Sequence, residues 1–213
     1  MMNTAQTSQP SILICGGSIF DNAPYVAEDE RCVRDHLSGL LPDWHIDFRA
    51  LDGAISTDVA EFQLPDAGNP DAIALSVGGN NALEHLSLLF DPGTDTFLQT
   101  ALKLDEIQTA FRHGYRTTIG MAASLKRPLL AATIYRPRYH LDGYPREVTR
   151  AIEPLLSVFN DVIQEEARRV GADLLDLRAF CIDDEDFANP IEPSHAGGAK
   201  IAKRIAEWAT NLA

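Results

Sequence analysis

The 213-residue chain is poor in cysteine and in positive charge. Its three thiols, Cys15, Cys32 and Cys181, are odd in number and have no paired spacing, which argues against a disulfide framework and a zinc site. Lysine and arginine number 18 against 31 aspartates and glutamates, giving a formal net charge of −13. With no cationic field to displace counterions from a phosphate backbone, no nucleic-acid partner is expected. No apolar run approaches the ~20 residues of a membrane-spanning helix, so no membrane partner is expected either. Met1 to Pro10 has neither a basic start nor the apolar centre of a signal peptide. The expectation is a cytoplasmic protein with a loose leader over residues 1–10 and a single domain over 11–213.

What is present is ordinary for a globular chain: 45% apolar and 23% charged residues. A chain of this length buries roughly 70% of its unfolded surface and needs no staple to fold. Hydrophobic periodicity alternates between short buried runs and longer amphipathic ones. Strands are expected over Ser11–Cys15, Trp44–Ala50, Ala72–Val77, Pro128–Tyr135 and Ala172–Leu177. Helices are expected over Tyr25–Leu41, from Ser56 to Phe62, from Asn81 to Phe90 and from Thr96 to Ser124. Two more are expected over Glu147–Val170 and from Pro193-Ser194 to Asn211. Gly114 and Gly120 suggest a bend in the fourth helix, Pro154 a kink or restart in the fifth, and Asp91-Pro92-Gly93 a turn. Five strand–helix pairs make a parallel sheet covered on both faces, an α/β three-layer sandwich of flavodoxin type with strand order 2-1-3-4-5.

Ligands of an open parallel sheet collect beyond the carboxyl ends of its strands. The loops there hold Gly16-Gly17-Ser18 followed by Ile19-Phe20-Asp21-Asn22, then Leu51-Asp52-Gly53, then Gly78-Gly79-Asn80-Asn81. The last holds Asn189-Pro190-Ile191-Glu192-Pro193-Ser194-His195. A hydroxyl, hydrogen-bond donors and an acid/base cluster on one edge are what acyl transfer requires.

These blocks, spread from Ile12 to Ile205, resemble the SGNH or GDSL-type serine hydrolases. The resemblance implies Ser18 as nucleophile. It implies an oxyanion hole from the N–H groups of Ser18 and Gly53 with the side-chain amide of Asn80. It implies hydrolysis of a small ester or acyl group, with no metal or organic cofactor. Two supporting acidic positions of the family pattern are Gly17 and Asn81 here. The terminal block departs further from the family's Asp-x-x-His. Aligned on Pro193-Ser194, it puts Asn189 in the Asp position and Glu192 in the His position. Aligned on spacing, it makes Glu192 the orienting carboxylate and His195 the base.

Both alternatives stand at the level of sequence. Histidine suits proton exchange near neutrality, but His195 falls about a turn past the expected position. Glu192 needs desolvation and a raised pKa to serve, and the acidic run Asp183–Asp186 is one candidate source of that shift. A third reading is a degenerate SGNH-fold module that binds an ester or carboxylate without turning it over. His140 and His85 are lesser candidates near the same edge. Arg136, Arg138 and Arg178 either bind an anionic group or pair with the acidic run. The identity of the ester and the oligomeric state are open.

Overall fold

The computed structural model describes residues 9–89 and 96–212. Five parallel strands, β1 (Ser11–Gly16), β2 (His45–Phe48), β3 (Ala72–Ser76), β4 (Leu129–Ala132) and β5 (Asp173–Leu175), form one sheet in the order β2-β1-β3-β4-β5. The order and the three-layer α/β architecture are those expected from the sequence. Along β1 the side chains alternate between two cores, as the pleat requires. Ile12 and Ile14 meet Val33, Leu37, Ile201 and Ile205 on one face. Leu13 and Cys15 meet Phe111, Tyr115, Phe159 and Ile163 on the other.

The helices that supply these layers are α1 (Val33–Leu40) and α6 (His195–Thr210) on the first face, and α4 (Phe97–Ser124) and α5 (Arg146–Val170) on the second. Shorter α2 (Ser56–Asp58) and α3 (Gly79–Leu83) follow β2 and β3. The helix expected over Tyr25–Leu41 begins only at Val33. Asp35 takes the Cys32 N–H at 3.2 Å and Asn22 takes the Val33 N–H at 2.8 Å, so the first turn is capped there. Upstream, only a 3-10 turn at Ala23–Tyr25 is regular. The helix expected from Asn81 is α3 followed by a 3-10 turn, and the Asp91-Pro92-Gly93 turn lies outside the described residues, as does the leader apart from Gln9 and Pro10.

Neither suspected glycine interrupts α4. Gly114 instead admits a neighbour: a Cβ there would stand 3.0 Å from Ser56 Oγ, and Thr118 donates to the Ser56 carbonyl at 2.7 Å. Pro154 lies well inside α5 rather than in its first turn. No helix among the described residues is long and apolar enough to cross a membrane.

Two buried carboxamides finish strands at the edge where ligands collect. Gln63 accepts from the Gly16 N–H at 2.7 Å and donates to the Gly16 carbonyl at 3.0 Å. Asn160 does the same for Ile134, at 2.8 and 2.9 Å. Asn160 satisfies a donor and an acceptor that the ladder leaves unpaired, while the Gly16 carbonyl also takes the Leu51 N–H at 3.0 Å. Asn160→Leu orphans both groups of Ile134 and is expected to destabilise the fold by about 2 kcal/mol, lowering Tm by roughly 4–8 °C. Thermal unfolding by circular dichroism checks this.

Candidate active site

The first loop is shaped by what β1 must cross. Gly16 has φ +147°, and a Cβ there would stand 2.0 Å from the Ser76 carbonyl oxygen, so the crossing over the end of β3 admits no side chain. Gly17 then donates to Ser76 at 3.0 Å, and the N–H groups of Phe20 and Asp21 fold back to the Gly17 carbonyl at 3.1 and 3.0 Å. Phe20 is buried in the first core and fixes the turn. Ser18 is thereby held at its head, 7% exposed, facing a cavity that Asn80 and Glu192 also line.

Backbone donors around Ser18 divide into engaged and free. Those of Gly17, Phe20, Asp21, Asp52 and Ala54 are all taken. Those of Ser18 and Gly53 have no hydrogen-bond partner among the described residues. Gly53 sits at φ +82°, in the second loop. Asn80 Nδ2 donates one hydrogen to the Ala54 carbonyl at 3.0 Å, which leaves its second hydrogen available. The two residues that depart from the SGNH pattern both serve this loop. A Cβ on Gly17 would stand 3.1 Å from both Ala54 O and Asn80 Nδ2, so its absence lets Asn80 approach. Asn81 Oδ1 accepts the Ser56 N–H at 3.1 Å.

The terminal block is a compact turn. Asn189 Oδ1 accepts from the N–H groups of Ile191 and Glu192, each at 3.0 Å, and the Ala188 N–H closes the turn on the Glu192 carbonyl at 2.9 Å. Asn189, placed by alignment where a base-orienting acid would stand, is thus the clasp of this turn. Glu192 is 4% exposed, lines the same cavity as Ser18, and leaves its Oε2 without a partner. Burial pushes its pKa up to about 7; the Ser18 hydroxyl pulls against that, and the Asp52 carboxylate adds to it. The acidic run plays no part in the shift. Asp183 and Asp186 pair with Lys200, and Asp184 pairs with Arg138 and His140.

His195 is not brought to Ser18. It is the first residue of α6, where Ser194 caps the Ala196 and Gly197 N–H groups. Its ring turns toward α1, with Nδ1 3.0 Å from the Arg31 N–H and the ring 4.8 Å from that of His36. His140 is bound to Asp184, and His85 lines the cavity against Phe159. Arg136 and Arg178 pair with Glu153 and Asp176 rather than standing free.

Four side chains given no role from sequence complete the surroundings. Tyr25 donates to Asp52 Oδ2 at 2.8 Å, and Asp21 Oδ2 accepts the Asp52 N–H at 3.0 Å. The Tyr25 hydroxyl is held neutral by burial, by this bond and by the nearby Glu192 charge. Asn22 is fully buried. It donates to the carbonyls of Pro193 at 3.0 Å and Ser194 at 3.3 Å while accepting the Val33 N–H. It therefore bolts the Ser18 loop to the Glu192 loop. A polar residue four positions after the serine was visible in the sequence, but its partners lie 171 and 172 positions away and gave no local signal.

Comparison with known proteins places the fold. An extracellular lipase from Streptomyces rimosus superimposes with a TM-score of 0.67 at 14% identity, over 92% of this chain and 99% of the lipase. Axe2, an acetylxylan esterase from Geobacillus stearothermophilus, gives 0.62 at 17% identity over 93% of each chain. Phospholipase A1 from Streptomyces albidoflavus gives 0.62 at 14% identity over 95% of this chain and 99% of that enzyme. These likenesses show a shared fold, a five-stranded parallel sheet covered by helices on both faces. Neither protein-family models nor curated protein sequences give a match.

Proposed function

We propose that this protein is a serine ester hydrolase in which Ser18 is the nucleophile and Glu192 the general base. The observation that carries the reading is the buried Glu192 carboxylate sharing a cavity wall with Ser18, beside unengaged N–H groups of Ser18 and Gly53 and the Asn80 amide. As Ser18 Oγ bonds to the ester carbonyl carbon, its proton passes to Glu192. The negative charge appearing on the carbonyl oxygen is met by the three donors. Collapse of this adduct breaks the carbon–alkoxy bond, and Glu192 returns the proton to the leaving alcohol. A water molecule then loses a proton to Glu192 as it attacks the acyl-serine, and Ser18 takes that proton back as the acid departs.

A carboxylate with an ordinary pKa would be a feeble base here; one raised to about 7 is matched to the task. The shared fold with a lipase, a phospholipase and an acetylxylan esterase supports the ester class. Chain-wide acidity supports a small neutral ester over a polyanionic substrate. A fluorophosphonate probe tests the nucleophile. Stoichiometric labelling of Ser18 by intact mass, abolished in Ser18→Ala, is expected at pH 8. Folded protein that stays unlabelled from pH 6 to 9 would instead indicate a binding module on the same scaffold.

A further inference from the structure

The cavity at Ser18 is about 80 Å³ and runs from the nucleophile into the layer between α4 and α5. Its far walls are Leu86, Leu104 and Ile107 on one side and Leu155, Leu156 and Phe159 on the other. Glu192 is the one charged residue among the described residues that line it, and it lies at the Ser18 end. The Tyr135 hydroxyl, also on the wall, is spent on the Ile191 carbonyl. Beyond the Ser18 end only His85 and the Tyr139 hydroxyl offer side-chain hydrogen bonds to a polar group in this space, so an oxygen-rich substituent entering it loses most of its hydration without replacement.

The two ends of the site differ in polarity. Tyr25 and Asp52 act on Glu192, but neither they nor Asp21 line the cavity, and they stand beside the exposed Leu51. The departing alcohol and the incoming water must both exchange protons with Glu192, and this polar, open side suits them. The acyl group is then directed the other way. On α4 the cavity-lining Leu104 and Ile107 share a stripe with buried Phe111 and, seven residues before Leu104, with Phe97. Phe97 is 90% exposed, so this apolar stripe continues past the packed core to the outer end of the helix.

We infer that the cavity between α4 and α5 is an acyl-chain subsite, and that the preferred substrates are esters of straight, unsubstituted medium-chain acids rather than acetyl esters. The inference rests on Ser18 being the nucleophile and goes further, to what is attached to the carbonyl carbon it attacks.

A series of p-nitrophenyl esters from acetate to dodecanoate, assayed below their micelle-forming concentrations, reads the subsite. Burial of each added methylene is expected to raise kcat/KM about fourfold until the cavity fills, so that the roughly three or four added methylenes it holds put hexanoate and octanoate on the order of a hundredfold above acetate. Ile107→Trp, which occupies the cavity, is expected to lower the octanoate-to-acetate ratio at least tenfold, on the order of what a few lost methylene contacts give. Phe97→Ser, at an exposed position on which folding does not depend, lowers the dodecanoate-to-octanoate ratio several-fold. A flat or falling series overturns the proposal. Gain with chain length in alkyl acetates but not in alkanoates overturns the acyl assignment. Octanoate binding to Ser18→Ala by calorimetry separates this inference from the nucleophile reading. Binding that Ile107→Trp abolishes, in a protein whose wild type neither labels nor turns over esters, keeps the subsite and removes the chemistry. Turnover with no octanoate binding does the reverse.

Discussion

Glu192→Gln is expected to lower kcat/KM by about 100- to 10,000-fold at pH 8 while making the protein more stable, because one buried carboxylate is responsible for both effects. The amide keeps the size of the side chain and can still meet the Ser18 hydroxyl, but it cannot take the proton, and loss of a positioned general base is worth that range. Stability moves in the opposite direction. An ordinary carboxyl of pKa 4.5 releases its proton in the unfolded chain long before Glu192, raised to about 7, does so in the folded one. As pH rises from 4.5 to 7 the unfolded state binds fewer protons, so the folded state loses stability across that window and does not regain it above. The full shift corresponds to about 3 kcal/mol, and solvent reaching the mouth of the site reduces this to on the order of 2 kcal/mol. Glu192→Gln is therefore expected to unfold roughly 4–8 °C above the wild type at pH 8 and level with it at pH 4.

The pH–rate profile separates the two bases left open by sequence. Wild-type kcat/KM is expected to rise with pH through an inflection near 7, as Glu192 becomes ionised. His195→Ala leaves that inflection in place, since its ring lies against Arg31 and His36. Retention of more than a tenth of the activity in Glu192→Gln, with an unmoved inflection, would remove Glu192 from the mechanism.

Much of this site was legible because its parts are local. β1 and β3 run into Gly16 and Gly78 where the chain must turn over a neighbour, and the residues following β1, β2 and β3 share one edge by the handedness of parallel crossovers. Ser18, Gly53 and Asn80 are therefore where their motifs put them. The choice between Glu192 and His195 was not legible. Both flank the same proline, and the difference between them is the direction in which a side chain leaves the helix start. Ser194 caps α6 and makes His195 its first residue, turning that ring toward α1 and away from β1. The acidic run misled for a similar reason. Charge density along the chain suggests a field at Glu192, but pairing in space consumes it: Asp186 is 2% exposed and bound to Lys200. The carboxylate that does act on Glu192 is Asp52, from a different loop. The over-long first helix has a comparable origin, because Val26 fits the helical spacing and nothing in the local sequence shows that Asn22 will claim the Val33 N–H.

Asn22→Ala is expected to damage both fold and activity. Removal of the carboxamide leaves the Val33 N–H and the Pro193 carbonyl without their partner in a fully buried position. The Ser194 carbonyl retains the Gly198 N–H at 2.8 Å, so it suffers least. Two orphaned groups at about 1–3 kcal/mol each put the loss near 3 kcal/mol, a Tm roughly 6–12 °C lower. Stability alone does not distinguish a bolt from an ordinary buried amide, so the decisive reading is the pH profile of the protein still folded at low temperature. The bolt holds the Ser18 loop against the Glu192 loop, and the Ser18 hydroxyl is what draws the Glu192 pKa down against burial. Once the loops separate, that restraint weakens, and the inflection should move above its wild-type position near 7 while kcat/KM falls at least tenfold, the scale on which misplaced reacting groups lose rate. Asn22→Asp retains the acceptor for Val33 but turns the donor facing Pro193 into a second carboxylate, so it should restore α1 without restoring activity. Asn22→Ala with a lowered Tm and an unmoved inflection would make Asn22 a buried amide of the fold and nothing more.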